Sequence, residues 1–272
     1  MTAADPSLNV GIWQDSGTPG DVTANLATIS GAATIAARRG VELLVFPECF
    51  LTGYFSPAGV VAIASRTGKE TVDCLRSIAR SNGIAFVVGH YESRSSGIHN
   101  AALMIGADGN VIATYRKRVL YGAWERSVFE PGSDPVLVEY RGIRIAILIC
   151  FDLEFPELAR ECARAGADLI VVPTALMTPH RRVARHVVPA RAIENQVFIA
   201  YANRTGWEHD TEFVGNSSIC DPNGCLLAKG GEAGPELLSA CVTRSVIATA
   251  RKNICYLEEL NRFCSGQLQS DP

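Results

Sequence analysis

The sequence predicts an α/β layered fold with mixed sheets, and three observations carry that prediction. Short apolar runs with little polar interruption recur at residues 42–46, 84–89, 143–149, 169–173 and 197–202. Such runs read as strands buried on both faces. Segments with helical apolar spacing lie between several of them. Two turn signals, Ala107-Asp108-Gly109-Asn110 and Asp221-Pro222-Asn223-Gly224, read as hairpins inserted into the alternation. Buried strands alternating with helices make a layered α/β arrangement the expected packing.

The elements follow in order. Residues 9–14 form a first strand, and Asp21 is placed to cap the helix after Pro19-Gly20. Leu26, Ile29, Ala33 and Ala36 recur at helical spacing until Gly40. The strand at 42–46 ends at Pro47-Glu48. A helix over about 70–81 is closed by Asn82-Gly83 before the strand at 84–89. Residues 111–115 form a strand that runs into Arg116-Lys117-Arg118. The isoleucine-rich run stops at Cys150, and Phe155-Pro156-Glu157 opens a helix, proline and glutamate both suiting its first turn. A long helical segment over 179–196 is expected to bend near Pro189. Strands at 215–220 and 225–228 flank the second hairpin turn. The tail beyond Lys252 is mixed in character and is a candidate for packing on a partner subunit. No repeat, linker or low-complexity segment is visible.

A chain of 272 residues suits one domain over 1–272. Hydrophobic residues make up 47% and charged residues 19%, an ordinary globular balance. A net charge of -3 gives no electrostatic case for nucleic acid or an acidic membrane surface. No apolar run approaches the ~20 residues that span a bilayer. Met1-Thr2-Ala3-Ala4-Asp5-Pro6 does not read as a secretory signal, so the nine scattered cysteines are expected to be reduced thiols in a cytoplasm. Neither an H-E-x-x-H nor a G-x-S-x-G pattern occurs. Cys220 and Cys225 flank a hairpin without a second ligand pair, so neither a metal nor a cofactor is expected.

Glu48, Lys117 and Cys150 each follow directly on a predicted strand, the edge where functional groups of α/β sheets converge. Singly, each has a plainer reading. A free cysteine is often core packing, Lys117 fits a solvated cationic run, and Glu48 could simply bond a backbone N–H. Jointly they favour chemistry. A thiol on a strand-to-helix turn, with backbone N–H groups pointing into the same space, suits a nucleophile with its oxyanion donor.

Three motifs, Phe46-Pro47-Glu48, Tyr115-Arg116-Lys117 with Leu120, and Cys150-Phe151-Asp152-Leu153-Glu154-Phe155-Pro156-Glu157, resemble the nitrilase superfamily of carbon–nitrogen hydrolases. They stand in order across nearly the whole chain. The resemblance implies a four-layer α-β-β-α sandwich and a triad of Glu48, Lys117 and Cys150. It further implies Glu125 as an additional catalytic glutamate, and the Phe151 backbone N–H with Lys117 as oxyanion donors. Phe151-Asp152, Leu153-Glu154 and the stretches at 173–179, 191–196, 201–204 and 215–218 are similar to 5-aminopentanamidases and related aliphatic amidases.

The activity so implied is hydrolysis of a small linear aliphatic primary amide, ω-amino and ω-guanidino amides included, through a cysteine thioester. An N-carbamoyl amine hydrolase and a non-catalytic interaction module of the same superfamily are the alternatives. Implied substrate contacts are Tyr54, Trp124, Glu154, Thr174, Ala175 and Met177, though Trp124 and Met177 read equally as core. Glu154, Glu194, Glu208, Asp210 and Glu212 are candidate acceptors for a terminal cation; Met177, Trp207 and Phe213 would instead wall an apolar pocket. His180 and His186 read as surface or interface groups, and Cys49 as packing. The family implies a homodimer through outer-layer helices. Val119 stands where the family usually has histidine, which leaves the support of the Lys117 loop open.

Overall fold

In chain order the first half runs β1 (Ser7–Gln14), α1 (Val22–Arg38), β2 (Leu43–Val45), α2 (Val60–Ala64), α3 (Lys69–Asn82), β3 (Ala85–Arg94), β4 (Gly97–Ile105), β5 (Val111–Arg116) and α4 (Gly122–Val128). The second half opens with β6 (Leu137–Tyr140), β7 (Ile143–Ile147), a 3-10 turn (Cys150–Glu154), α5 (Pro156–Arg164) and β8 (Leu169–Thr174). A π-helical turn (Val183–Val187) then leads into α6 (Val188–Asn195) and β9 (Phe198–Asn203). The hairpin β10 (Thr205–Glu208) and β11 (Thr211–Val214) follows, then β12 (Ser218–Cys220), β13 (Leu226–Lys229), β14 (Glu236–Thr243), α7 (Arg244–Asn253) and α8 (Tyr256–Cys264). The structure, a computed structural model, describes residues 5–55 and 59–265. Residues 1–4 of the N-terminal stretch discussed above lie outside the described residues.

Two six-stranded sheets lie face to face, in the orders β14-β1-β2-β3-β4-β5 and β13-β12-β9-β8-β7-β6. Within each, three central strands run parallel (β1-β2-β3 and β7-β8-β9), and the outer pairings are antiparallel. The two halves therefore repeat one topology of strand, helix, strand, helix, strand, hairpin. No repeat was visible in the residues because burial pattern, rather than side-chain identity, is what recurs.

Alternation along the strands builds the layers. Leu43, Val45, Ala85, Val87, Ala102 and Met104 share a core with Ile145, Val171 and Ala200 of the other sheet. Their neighbours Leu44, Phe46, Phe86, Val88, Leu103 and Ile105 point the other way, onto Ile29, Ala32, Ala33 and Ala36 of α1 and Leu75 and Ala79 of α3. Small alanines let α1 lie close to the sheet. On the far side α5 and α6 pack together, and α6 contacts β9. The α-β-β-α order is thus the consequence of strands that are apolar on both faces. Asp21 caps α1 as expected, its Oδ1 accepting from the Ala24 N–H at 2.9 Å.

Two starts differ from the sequence reading. The long helical segment begins at Val183 rather than 179, because Met177 bridges Phe213 and the Thr178 N–H donates to the Glu212 carbonyl. Pro189 falls in the first turn of α6, where its missing N–H is harmless, and the π-helical turn precedes it. The strand expected at 215–220 shrinks to Ser218–Cys220, since Gly215 and Asn216 adopt positive φ. Beyond Lys252 the described tail is mainly α8, which buries none of its side chains.

Candidate active site

Glu48, Lys117 and Cys150 leave the ends of β2, β5 and β7 and meet between the sheets. Glu48 sits in a tight turn in which Cys49 has φ 51° and the Gly53 N–H donates to the Cys49 carbonyl at 2.8 Å. The neighbouring strand can approach this turn only because residue 89 is glycine. A Cβ there would lie 2.3 Å from the Cys49 nitrogen and 2.6 Å from the Pro47 oxygen. Lys117 is held by its own N–H, which donates to the Asn100 carbonyl at 2.9 Å. Cys150 opens the 3-10 turn with φ 48°. The leading N–H groups of such a turn, that of Phe151 among them, have no acceptor within the turn.

The side chains form one buried network. Lys117 Nζ donates to Glu48 Oε1 and to Glu125 Oε1, each at 2.7 Å. Asn100 Nδ2 donates to the same Glu48 oxygen at 2.7 Å. Glu125 also accepts from Tyr54 OH at 2.7 Å and from the Tyr121 N–H at 2.6 Å. Glu48 Oε2 is buried and has no hydrogen-bond partner among the described residues. Cys150 is half-buried.

Burial raises the Glu48 carboxyl above its ordinary range even against the Lys117 charge. Burial alone would lower the Lys117 pKa, but Glu48 and Glu125 overcome it and hold the ammonium well above its ordinary range. Burial, reinforced by the Glu48 charge, pushes the Cys150 thiol well up. At neutral pH the resting cysteine is therefore a protonated thiol, and the chemistry requires a base beside it.

Asp152 answers the question left by Val119. Its carboxylate accepts the Val119 N–H at 2.8 Å, the Arg118 N–H at 3.2 Å, the Ile149 N–H at 3.0 Å and Tyr115 OH at 2.8 Å. The loop after Lys117 and the strand end before Cys150 are thereby joined through backbone groups, whatever the side chain at 119.

A cavity of about 180 Å³ opens above Cys150. Of the candidate substrate contacts, Tyr54, Glu154, Ala175 and Met177 line it, together with Phe151 and Leu176. His180 is a correction: it lines the cavity, with Nε2 3.4 Å from Tyr121 OH. Trp124 does not reach the cavity. It stacks behind Tyr54 at 5.3 Å, among Phe55 and Phe129. Thr174 does not reach it either. Its hydroxyl donates to the Val172 carbonyl, and its own carbonyl accepts the N–H groups of Glu48 and Arg204. Cys49 is more than packing, since its Sγ donates to Asn100 Oδ1 at 3.4 Å.

Of the five candidate acceptors, Glu194 pairs with Arg191, Glu208 with Arg204 and Glu212 with Arg181, while Asp210 is exposed at the tip of the β10–β11 hairpin. Glu154 alone of the five lines the cavity, half-buried and without an ion pair or side-chain hydrogen bond among the described residues. Trp207 is exposed and Phe213 is buried beside Tyr54. Asn100 and Arg204 were not foreseen. Asn100 is a polar residue inside the apolar β4, a signal that could have been read. A larger cavity of about 420 Å³ lies beside Arg94, His99 and Arg116; both arginines there pair with Glu92, and His99 Nε2 is 3.0 Å from the Ser96 hydroxyl. Among the described residues no cluster of three or more His, Cys, Asp or Glu is grouped to hold a metal, and no helix is long and apolar enough to cross a membrane.

Comparison with known proteins shows the family. The carbon-nitrogen hydrolase family model matches residues 9–252. An (R)-stereoselective amidase from a Pseudomonas species is 33% identical over 97% of this chain and 96% of its own length. The 2-oxoglutaramate amidase of Bacillus subtilis is 31% identical over 82% of this chain and 86% of its own. Among solved structures, a cysteine-to-alanine variant of the amidase from Nesterenkonia sp. AN1 in complex with butyramide superposes with a TM-score of 0.82 and 32% identity, covering 91% of this chain and 95% of that one. A further structure of that amidase, carrying the acetamide moiety of fluoroacetamide on its active-site cysteine, matches with a TM-score of 0.83 and 32% identity over 96% of this chain and 97% of that one. The match in sequence and in fold runs through the strands that deliver Glu48, Lys117 and Cys150, and this chain belongs to the carbon–nitrogen hydrolase family, hydrolysing C–N bonds.

Proposed function

We propose that the chain is an amidase that converts a small aliphatic primary amide to its carboxylate and ammonia, with Glu48, Lys117 and Cys150 as its triad. The observation that carries this reading is the unpartnered, buried Glu48 Oε2 in one network with Lys117, next to a small cavity that Cys150 lines. Glu48 takes the thiol proton as the sulfur attacks the carbonyl carbon. The developing oxyanion is met by the Lys117 ammonium and the Phe151 N–H. Glu48 returns its proton to the departing nitrogen, ammonia leaves, and a thioester remains on Cys150. Water then gives a proton to Glu48 and its oxygen to the acyl carbon, which releases the acid and restores the thiol. A carboxyl held above its ordinary range suits a group that must both take and give a proton. Glu125, with Tyr54 and Tyr121 behind it, fixes the ammonium.

The cavity limits the substrate. Its volume of about 180 Å³ favours a small linear amide. Its walls are largely apolar, and burial raises the Glu154 carboxyl on one of them, His180 partly opposing. A carboxylate so placed favours an amide with a cationic far end. In kcat/KM, 5-aminopentanamide and its guanidino analogue are expected to exceed pentanamide by roughly tenfold or more, about 1.4 kcal/mol in the transition state. Pentanamide as the best of the three removes the cationic preference and leaves the amidase.

Cys150→Ala is expected to fold as the parent does and to release no ammonia from a panel of such amides. Brief exposure of the parent to substrate should add an acyl group to its intact mass. Ammonia release by the variant at the parental rate refutes the reading, and carbon dioxide released alongside ammonia reassigns it to N-carbamoyl amines.

Nine free cysteines fit a reducing, cytoplasmic setting. Exposed Ile254, Tyr256 and Phe263 on the C-terminal elements support association into a homodimer or a multiple of it. A clean monomer in sedimentation at micromolar concentration contradicts that.

A further inference from the structure

The β10–β11 hairpin belongs to neither large sheet, yet it carries the buried ion pair Arg204–Glu208 to the back of the active site. Arg204 is 1% and Glu208 3% exposed, and they meet at 2.9 Å. The two groups do not only satisfy each other. Arg204 Nη1 donates to the carbonyls of Glu48 and Cys49, both at 3.4 Å, and Nη2 donates to the carbonyl of Ser16. Glu208 accepts the N–H of Tyr54 at 3.1 Å and of Phe55 at 2.6 Å. The ion pair thus grips both ends of the turn from Glu48 to Phe55.

Each end of that turn carries a working side chain. Glu48 extends from one end toward Lys117 and Cys150; Tyr54 extends from the other and donates to Glu125. A third tie closes the loop, because the Thr174 carbonyl accepts from the N–H groups of both Glu48 and Arg204. The residue after it, Ala175, lines the cavity with Cys150. The hairpin also holds that cavity wall, through Val214 N–H to the Leu176 carbonyl and the bridge from Phe213 to Met177.

We infer that Arg204 and Glu208 are positioning residues for the reaction, setting where the Glu48 carboxylate stands relative to Cys150. The inference rests on Glu48 being the base, as proposed above. A planar guanidinium can serve several carbonyls and a carboxylate at once, which a lysine ammonium on a flexible stem cannot. A pair that merely filled the interior would affect folding and leave the geometry of base and thiol alone. A pair that positions the turn must affect proton transfer in enzyme that is still folded. Lys117 and Asn100 hold the Glu48 carboxylate through Oε1 only, so where Oε2 stands also depends on the backbone that carries the side chain.

The test compares Arg204→Lys, Glu208→Gln and the double variant Arg204→Met/Glu208→Gln with the parent, the last avoiding an unpaired buried charge. Three readouts are taken at a temperature where each is folded: melting temperature, kcat and KM for butyramide, and the pH dependence of Cys150 alkylation by iodoacetamide. Positioning predicts that kcat falls at least tenfold in Arg204→Lys and further in the double variant, with KM within threefold. It also predicts that the alkylation profile moves to lower pH, since the Glu48 charge that helps hold the thiol up is drawn away from it. Lower melting temperatures with parental kcat and alkylation profile overturn the inference. If the parent hydrolyses no amide, the proposed function fails, and the alkylation profile alone then decides the positioning role. Should the double variant not fold, the two single variants decide the matter.

Discussion

Replacing Lys117 with methionine separates a site lysine from its cationic neighbours. Lys117 is fully buried and bonded to Glu48 and Glu125 at 2.7 Å each, so the two carboxylates face each other across it. Without the ammonium, two like charges ~5.5 Å apart repel by about 3 kcal/mol at an effective dielectric of ~20. That is roughly two pKa units, so one carboxyl takes up a proton near neutrality and the base is lost for part of the population. Loss of an oxyanion donor costs a further ~10²–10³ in kcat. Breaking a buried pair from one side also costs roughly 3–5 kcal/mol of stability.

The sign of the pH effect follows. A carboxyl whose folded pKa is raised favours the fold below its unfolded pKa, and that benefit is lost as pH rises through the folded value. Lys117→Met should therefore gain melting temperature relative to the parent as pH falls from about 8 toward 5.5. Arg116 pairs with Glu92 and Arg118 with Glu161 near the surface, so alanine at either should cost no more than about 1 kcal/mol. The assays are ammonia release at saturating butyramide and melting curves across pH. Comparable mild losses at positions 116, 117 and 118, or a Lys117→Met melting curve no more pH-dependent than the parent's, refute the reasoning.

Two further outcomes are expected. The acid limb of kcat/KM should lie above pH 4.5, the ordinary value for Glu48, because burial raises that carboxyl and the reaction needs it ionised; a limb at or below 4.5 assigns the base elsewhere. Gly89→Ala should abolish activity and destabilise the fold by more than a typical glycine-to-alanine change, because its Cβ would meet main-chain atoms of the Glu48 turn that cannot rotate away. A soluble, active Gly89→Ala enzyme would show that the turn can shift without consequence.

The fold was legible where burial is two-sided. Residues such as Leu43–Val45 and Leu169–Thr174 must find apolar neighbours above and below, and no arrangement other than stacked layers supplies both. The candidate site was legible where polar groups follow those strands at their ends, as at Glu48, Lys117 and Cys150. What stayed hidden was of a different kind. Thr174 and Trp124 lie next in sequence to residues of the site, yet their side chains turn away from the cavity, a matter of local direction that adjacency does not report. His180 looked like a surface histidine because the segment before Val183 was taken as helix. In the structure that segment pairs with β11 instead, which brings His180 to the cavity.

Val119 shows why a departure from a familiar pattern need not weaken a site. The support of the Lys117 loop passes through the N–H groups of residues 118 and 119 to Asp152, and any residue except proline supplies an N–H. Glu154 makes the converse point about specificity. Five carboxylates were equal candidates in the sequence, because a cation partner far along the chain leaves no local trace. Arg191, Arg204 and Arg181 engage three of them, and exposure at the hairpin tip removes a fourth. The carboxylate that remains is the one four residues beyond the nucleophile, carried on the same 3-10 turn. On the proposed reading, with Cys150 as nucleophile and Glu154 as acceptor, the two are tied to each other by one short stretch of backbone. An amide whose charged end reached Glu154 would be brought to a set distance from Cys150, so the choice of chain length and the placing of the carbonyl would be one geometric event.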